Sequence, residues 1–564
     1  MHFCLPPSSF VTAYATLVAG SQPRRARMFG SATGFATRSQ GARSKSLHLL
    51  RLLGLAAILF APGAAWAVNI NNVTCAPGSN ALRLVCTVET NVPAFSVKVR
   101  TCDATVNGTG CTKDFDSPAD FTGNYRSSGC AVGTTCFDYD LTTWNHITGN
   151  TIEYDAVATG SPGATSATAN TAAGALPAGL AAVDVAVSGT SDSDYFGFNY
   201  GCSASAATFG DYAIVTNAAG EVVWYEDPRG VSGGSRNTIT GIKFLAHEVL
   251  TIIDHEWVAN FHWNGTVIGQ LSRAAGDFED ADMIDRYVHH DLTRDGSGNM
   301  YVVTARDHTL DDTLADCDGN AGTTTLDYVL DGVMKFDSSW ALVDEWSLAD
   351  IYDPTTCELG YSAPSSYWSG ELGGSDWAHM NSIQLDGGGD WLLSLKEPGW
   401  VIYVDSSTGA LDWELYGDNT SSGLGDWNIV ASPTVAVDDF NGQHHARWTN
   451  TGTIMLFDNH NDDSINTSYS RGIEIELDAG TGEFDIIAEY NTGEDCPVTG
   501  SAVEVSAGGN VVTTCSDNGA LGYDLIQEFA GSGTTPVYDM QLSCTAGMNY
   551  GRLYRARPLT SLSP

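Results

Sequence analysis

Hydrophobic and polar positions alternate along this chain in short runs separated by turn residues. Leu82-Arg83-Leu84-Val85-Cys86-Thr87-Val88, Phe95-Ser96-Val97-Lys98-Val99 and Thr151-Ile152-Glu153-Tyr154-Asp155-Ala156-Val157 have the two-residue period of half-buried strands. From Val68 onward they predict a small β-sandwich over residues 68–175. Gly160 to Gly189 is rich in Ala, Gly, Thr and Ser and contains Ser161-Pro162-Gly163, which predicts a last weak strand and then a linker over 176–189. From about Thr190 an apolar strand, a Gly or Ser turn and a strand bearing a large side chain recur six times. The copies are Ala213-Ile214-Val215 to Trp224, Ile252-Ile253 to Ile268, Val333-Met334-Lys335-Phe336 to Trp346, Val401-Ile402-Tyr403-Val404 to Trp413, Ile473-Glu474-Ile475 to Ile487, and Tyr523-Asp524-Leu525 to Tyr538. Evenly spaced hairpins with almost no long helical pattern predict an all-β chain, with a six-bladed β-propeller over 190–564.

A second recurrence lies on top of the first. His290-Asp291-Leu292-Thr293 leads through Asp295-Gly296-Ser297-Gly298 to a strand ending at Arg306. His379-Met380-Asn381-Ser382-Ile383 leads through Asp386-Gly387-Gly388-Gly389 to Lys396. His444-His445-Ala446-Arg447-Trp448 leads through Gly452 to Asn459. Equivalent units of a repeat fold occupy equivalent places, so His290, His379 and His444 are expected to converge at one mouth of the central channel.

The first 67 residues hold seven Lys or Arg and no Asp or Glu. A basic stretch Arg43 to Arg51, an apolar run Leu52 to Phe60 and Ala65-Trp66-Ala67 predict a secretory signal cleaved before Val68, with Met28 as a candidate start. The apolar run is short of the roughly 20 residues that span a bilayer. Export makes the twelve cysteines beyond Cys4 candidates for disulfides, and six of them, from Cys75 to Cys136, crowd the predicted sandwich. Of the 26 Lys and Arg, 19 follow the leader, against 67 Asp and Glu, giving a net charge of −48. Such a chain repels nucleic acid and anionic membranes, and any anion pocket in it must be locally cationic.

Three imidazoles at one mouth would provide an acid, a base, a nucleophile or ligands. Lys396 adds a fixed positive charge. Asn381, two residues past His379 and on the same strand face, adds an amide donor. Arg471, after the third unit's hairpin, is a further candidate cation. His255, His262, His445 and His460 read as surface or packing residues, and Trp224, Trp346 and Trp413 as blade packing. Asp316, Asp318 and Asn320 alternate as calcium ligands do, but the rest of that pattern is missing and a solvated acidic loop is expected.

His290-Asp291, Asp376-Trp377-x-His379-x-Asn381-Ser382-Ile383, Gln443-His444, Phe457-Asp458-Asn459, Tyr469-Ser470-Arg471 and the closing Tyr554-Arg555-Ala556 together resemble the motif series of the bacterial arylsulfotransferases, over roughly residues 190–560. The resemblance implies a six-bladed propeller behind a small β-domain. It implies transfer of a sulfuryl group from an aryl sulfate ester to a phenol, without a nucleotide donor, metal or cofactor, by a ping-pong route through a sulfated histidine. Carried onto this chain, it makes His444 the nucleophile, His379 the acid and base, Asn381 an orienting donor, and His290 (or His289, one register away) a sulfate-binding histidine. Lys396 stands where the family has arginine; it keeps the charge but not the two-pronged grip on oxygens. The implied partners are a small-molecule aryl sulfate and a phenol, with a homodimer as a further candidate. A non-catalytic anion- or partner-binding propeller, and a hydrolase in which water replaces the phenol, remain alternative uses of the same residues.

Overall fold

A computed structural model describes residues 67–562, apart from 95, 114, 117–122, 127–135, 160–162, 204–210, 233–237, 247, 280–283, 311–325, 353–367, 369–370, 418–427, 430–438, 461–468, 507–508, 517–521 and 546–552. The predicted leader and the acidic loop around Asp316 lie outside the described residues. No helix among those described is long and apolar enough to cross a membrane.

The N-terminal strands form two sheets. One runs Ile70–Pro77, Leu84–Thr90, Cys136–Thr143, Gly123–Arg126; the other runs Phe115–Asp116, Ser96–Asp103, Thr151–Thr159, Ala164–Thr165. Leu84, Cys86 and Val88 from the first meet Val97, Val99, Ile152 and Tyr154 from the second in one core, as the alternation requires. Disulfides Cys75–Cys86 and Cys102–Cys111 staple this region, and Cys136 is also disulfide-bonded. Its contact with the following sheets is both apolar and polar: Leu82 and Trp144 are buried in the cores of those sheets, and the Arg83 guanidinium donates to the Trp263 carbonyl at 3.1 Å and pairs with Glu226 at 2.6 Å.

Beyond residue 182 the described strands form six sheets, antiparallel except where the short strands Ser375–Asp376 and Asn428–Ile429 pair in parallel. Four of them run outward in chain order, opening with Ile239–Phe244, Tyr287–Arg294, Met380–Leu385 and His444–Trp448. These opening strands touch one another in succession, and the ring continues through Ser501–Glu504 and Ala556–Leu559. Sheets arranged with their first strands around a common axis make a β-propeller. Each of the six expected hairpins falls in a different sheet. Gly298, Gly389 and Gly452, the turn glycines of the three histidine units, have φ of +87°, +99° and +90°, which explains glycine there. Trp224 packs edge-on against Trp263, Trp346 against Trp391 and Trp413 against Trp448.

The two ends of the propeller sequence close the ring. Val183–Gly189 pairs with Tyr538–Cys544 along its whole length, and Ala556–Leu559 pairs with Tyr195–Tyr200. The disulfide Cys202–Cys544 fastens the same seam. This corrects the expected linker: Val183, Val185 and Val187 carry a two-residue period and form a sheet edge, so the propeller begins before residue 190.

Candidate active site

The three expected histidines come together. The rings of His290 and His379 lie 4.8 Å apart, edge to face, and that of Tyr554 is 5.8 Å from His290. His444 is near enough to both that their charges act on each other. The backbone shows how they are aimed. Nine described non-glycine residues have positive φ, and five are histidines: His255, His290, His379, His445 and His460. The strand register slips at Val288/Leu292, Met380/Ser382 and His444/Arg447. A bulge re-aims a side chain at a sheet rim, and left-handed non-glycine residues concentrate where surroundings hold strain for a function. In the third unit the left-handed residue is His445, so His444 occupies the register of His289 rather than of His290. The expected strict equivalence of the three histidines is one residue off there, because the left-handed position falls on His445 instead of His444.

His444 is 2 % exposed. Its Nδ1 lies 2.7 Å from Oδ1 of Asn459. The amide of Asn459 donates to the carbonyls of Cys496 and Thr499 at 2.6 and 2.7 Å, so its oxygen is the atom left to face the ring. The ring must then donate from Nδ1, which leaves the lone pair on Nε2. Burial, and after it the Lys396 ammonium, hold His444 well below the usual imidazole range, so it is neutral near pH 7. Cys496 is bonded to Cys515, which anchors the carbonyl that orients Asn459.

His379 differs. Its Nδ1 lies 2.5 Å from Oδ2 of Asp376, which is fully buried. Burial pulls its proton affinity down, but the charge and hydrogen bond of Asp376 raise it, and the net direction is upward. His290 meets His289 through their Nδ1 atoms at 2.7 Å, and Nε2 of His289 faces Asp331 at 3.2 Å. A proton on the Asp331 side of His289 makes its Nδ1 the acceptor and the Nδ1–H of His290 the donor. Burial, then the neighbouring His379 and His289, keep His290 well below the usual range. His290 therefore faces the pocket, with His289 behind it against Trp368.

Lys396 reaches the pocket's field and pairs with Glu397 at 2.6 Å. Asn381 is turned toward the next inner strand. Its Nδ2 donates to the Gln443 carbonyl at 2.7 Å and its Oδ1 accepts from the His445 amide at 3.3 Å, clamping the peptide on both sides of His444. Arg471 is also committed elsewhere: it is 1 % exposed and pairs with Asp458 at 3.1 Å and Glu489 at 2.9 Å, with a third bond to the Asp439 carbonyl. It anchors the strand carrying Asn459's neighbour and does not supply a pocket cation. Two residues escaped the sequence reading. Arg555, seen only as part of a motif, bonds the Asn381 carbonyl and pairs with Asp291 at 3.1 Å. His255, read as packing, lies tilted against Trp368 beside His289, and burial lowers its proton affinity to a pKa of about 3. Its left-handed turn was the signal, and that is not visible in sequence.

Asp376, His379 and Glu397 each place a ligand atom within 4.8 Å of the others, close enough for a divalent ion. Nδ1 of His379 is hydrogen-bonded to Oδ2 of Asp376, and the Lys396 ammonium to Oε1 of Glu397.

Fold and site thus define a β-propeller whose inner strands bring together buried histidines with proton affinities shifted in opposite directions. The chain belongs to the arylsulfotransferase (ASST) family, whose sequence profile matches residues 185–555, and it is an aryl sulfate sulfotransferase. A search of curated proteins gave no match. Among solved structures it is similar to a protein of unknown function from Bacteroides caccae (11 % identity, 66 % of this chain and 100 % of that one, TM-score 0.37). It is also similar to virginiamycin B lyase from Staphylococcus aureus (10 %, 64 % and 99 %, 0.27). These likenesses are too distant to compare sites.

Proposed function

We propose that the enzyme transfers the sulfuryl group in two steps through His444. Nε2 of neutral His444 attacks the sulfur of an aryl sulfate in line, and the sulfur–aryloxy bond breaks. His379 gives its proton to the departing phenolate, while Lys396 holds the outer oxygens. An acceptor phenol then binds, returns a proton to His379, and takes the sulfuryl group from His444, restoring the resting state. Neither step calls on a nucleotide donor. The observation that carries this reading is the pair of partners: an amide oxygen fixes the basic nitrogen of His444, and a carboxylate raises the proton affinity of His379. The disulfides fit an exported enzyme, and residues 68–175 a separate β-sandwich domain. The test is release of chromophore from a chromogenic aryl sulfate, with and without phenol, in wild type and His444→Ala. Phenol-dependent release lost in the variant supports the reading. Release that ignores phenol would mean hydrolysis, and turnover that survives in the variant would place the nucleophile elsewhere.

A further inference from the structure

Just inside the histidines lies a separate cavity of about 30 Å³. Its polar lining is Lys243, Asp291, His445, Arg447, Arg555 and Arg557, contributed by inner strands of different sheets and the segment leading into the last of them. None of His290, His379, His444 and Lys396 lines it. Four cations of the 19 beyond the leader therefore meet in one small space of a chain with 67 acidic residues. The single carboxylate does not balance them. Asp291 accepts from the Ile383 and Leu292 amides and is paired with Arg555. Among the described residues, Lys243, Arg447 and Arg557 have no side-chain hydrogen bond or ion pair. Arg555, 4 % exposed, has an Nε with no hydrogen-bond partner.

Like charges brought together away from bulk water disfavour one another. The consequence is visible in each group. Burial lowers Lys243 to about 8, with Arg447, Arg557 and Arg555 adding to the effect against Asp291. Burial and then Arg557 bring Arg447 down to about 10. His445 is held neutral by burial and then by the same arginines. A counter-charge placed among them would relieve all of these at once.

We propose that this part of the channel is a second anion site, which takes a small inorganic anion such as chloride or sulfate between Lys243, Arg447 and Arg557. A space of about 30 Å³ holds on the order of two waters, so it admits a compact ion and excludes an aryl ring. The site stands apart from the transfer chemistry and does not depend on it.

The experiment is thermal unfolding of wild type, Lys243→Met, Arg557→Met and His444→Ala, at constant ionic strength. Chloride or sulfate replaces gluconate, which is too bulky to enter. Binding to the folded state raises Tm in a saturable way. Wild type and His444→Ala are expected to show that rise, and the two channel variants to lose it. In gluconate the channel variants, relieved of one unbalanced charge, should melt no lower than wild type. No anion-specific rise in wild type overturns the proposal. So does a rise that persists in both channel variants but disappears in His444→Ala, because the anion then binds only among the catalytic histidines. Should the variants not fold, wild-type crystals in bromide decide. An anomalous peak among Lys243, Arg447 and Arg557 supports the site, and its absence overturns it.

Discussion

His379 and His444 stand on neighbouring inner strands of one propeller and are nearly equally buried, at 6 % and 2 % exposure. Both bond a side-chain oxygen through Nδ1. Their proton affinities nevertheless move in opposite directions, one raised and the other lowered. The difference is the partner: Asp376 in one place, Asn459 in the other. Burial alone would make both neutral. A carboxylate overrides burial for one ring, and an amide of similar shape leaves it in force for the other. On the proposed route, one enzyme thereby keeps an acid and a nucleophile of the same residue type side by side.

The comparison can be broken by making the two sites alike. Asn459→Asp would place a carboxylate on His444 and keep it protonated, so transfer at pH 7 should fall roughly a thousandfold, a large loss for a blocked nucleophile. Because the raised pKa is the cause, activity should recover as pH rises. A fall without recovery would show that only geometry was damaged. The new carboxylate would also face the Cys496 and Thr499 carbonyls, so the variant is assayed after its Tm shows it folded.

Asp376→Asn makes the sites alike in the other direction. His379 then loses what raises it, so the alkaline limb of the pH–rate profile moves to lower pH, and transfer at and above neutrality should drop about a hundredfold, as for a lost general acid. Donors with more acidic phenols need less help in leaving and should suffer less. Stability follows the same sign. A raised folded-state pKa stabilises below the unfolded value near 6.5, and that contribution is lost as pH rises through the folded value. The wild-type Tm advantage over Asp376→Asn should therefore shrink on going alkaline.

Smaller changes sharpen the contrast. Lys396→Arg restores a forked donor near the sulfuryl oxygens and should improve kcat/KM by severalfold, on the order of 1 kcal/mol in one charge-assisted bond. If it lowers activity, Lys396 is matched to a different donor. Arg471→Met should leave kcat/KM per folded molecule within about twofold while lowering Tm strongly. It strands Asp458 and Glu489, and breaking a buried pair costs about 3–5 kcal/mol. A selective loss of activity with unchanged Tm would return Arg471 to the pocket.

Much of this was legible in the chain. Period-two runs and turn glycines located the hairpins, and the recurring histidine units located the pocket, because those features are local. Depth and register were not legible. Arg471 and Lys396 look equivalent as cations near a motif, yet one is spent on Asp458 and the other stays by the histidines. Asn381 looked like a substrate donor because nothing local shows that its amide spans to the next strand. The left-handed bulge that shifts the third unit depends on cross-strand pairing, as does the meeting of Lys243 with Arg447 and Arg557 from strands hundreds of residues apart. The strand Val183–Gly189 was the exception. Its valine alternation was readable, but the surrounding Ala and Gly outweighed it.

The seam that closes the ring also sets an order of events in time. Ala556–Leu559 must find Tyr195–Tyr200, and Val183–Gly189 must find Tyr538–Cys544, across more than three hundred residues. Contacts that distant in sequence form late and slowly. Arg555, which bonds the strand of Asn381 and thereby the clamp around His444, arrives with the last of them. During synthesis His444 is therefore made long before its clamp is complete. A chain still emerging from the ribosome lacks this last support of the His444 clamp, which exists only once the circle is complete.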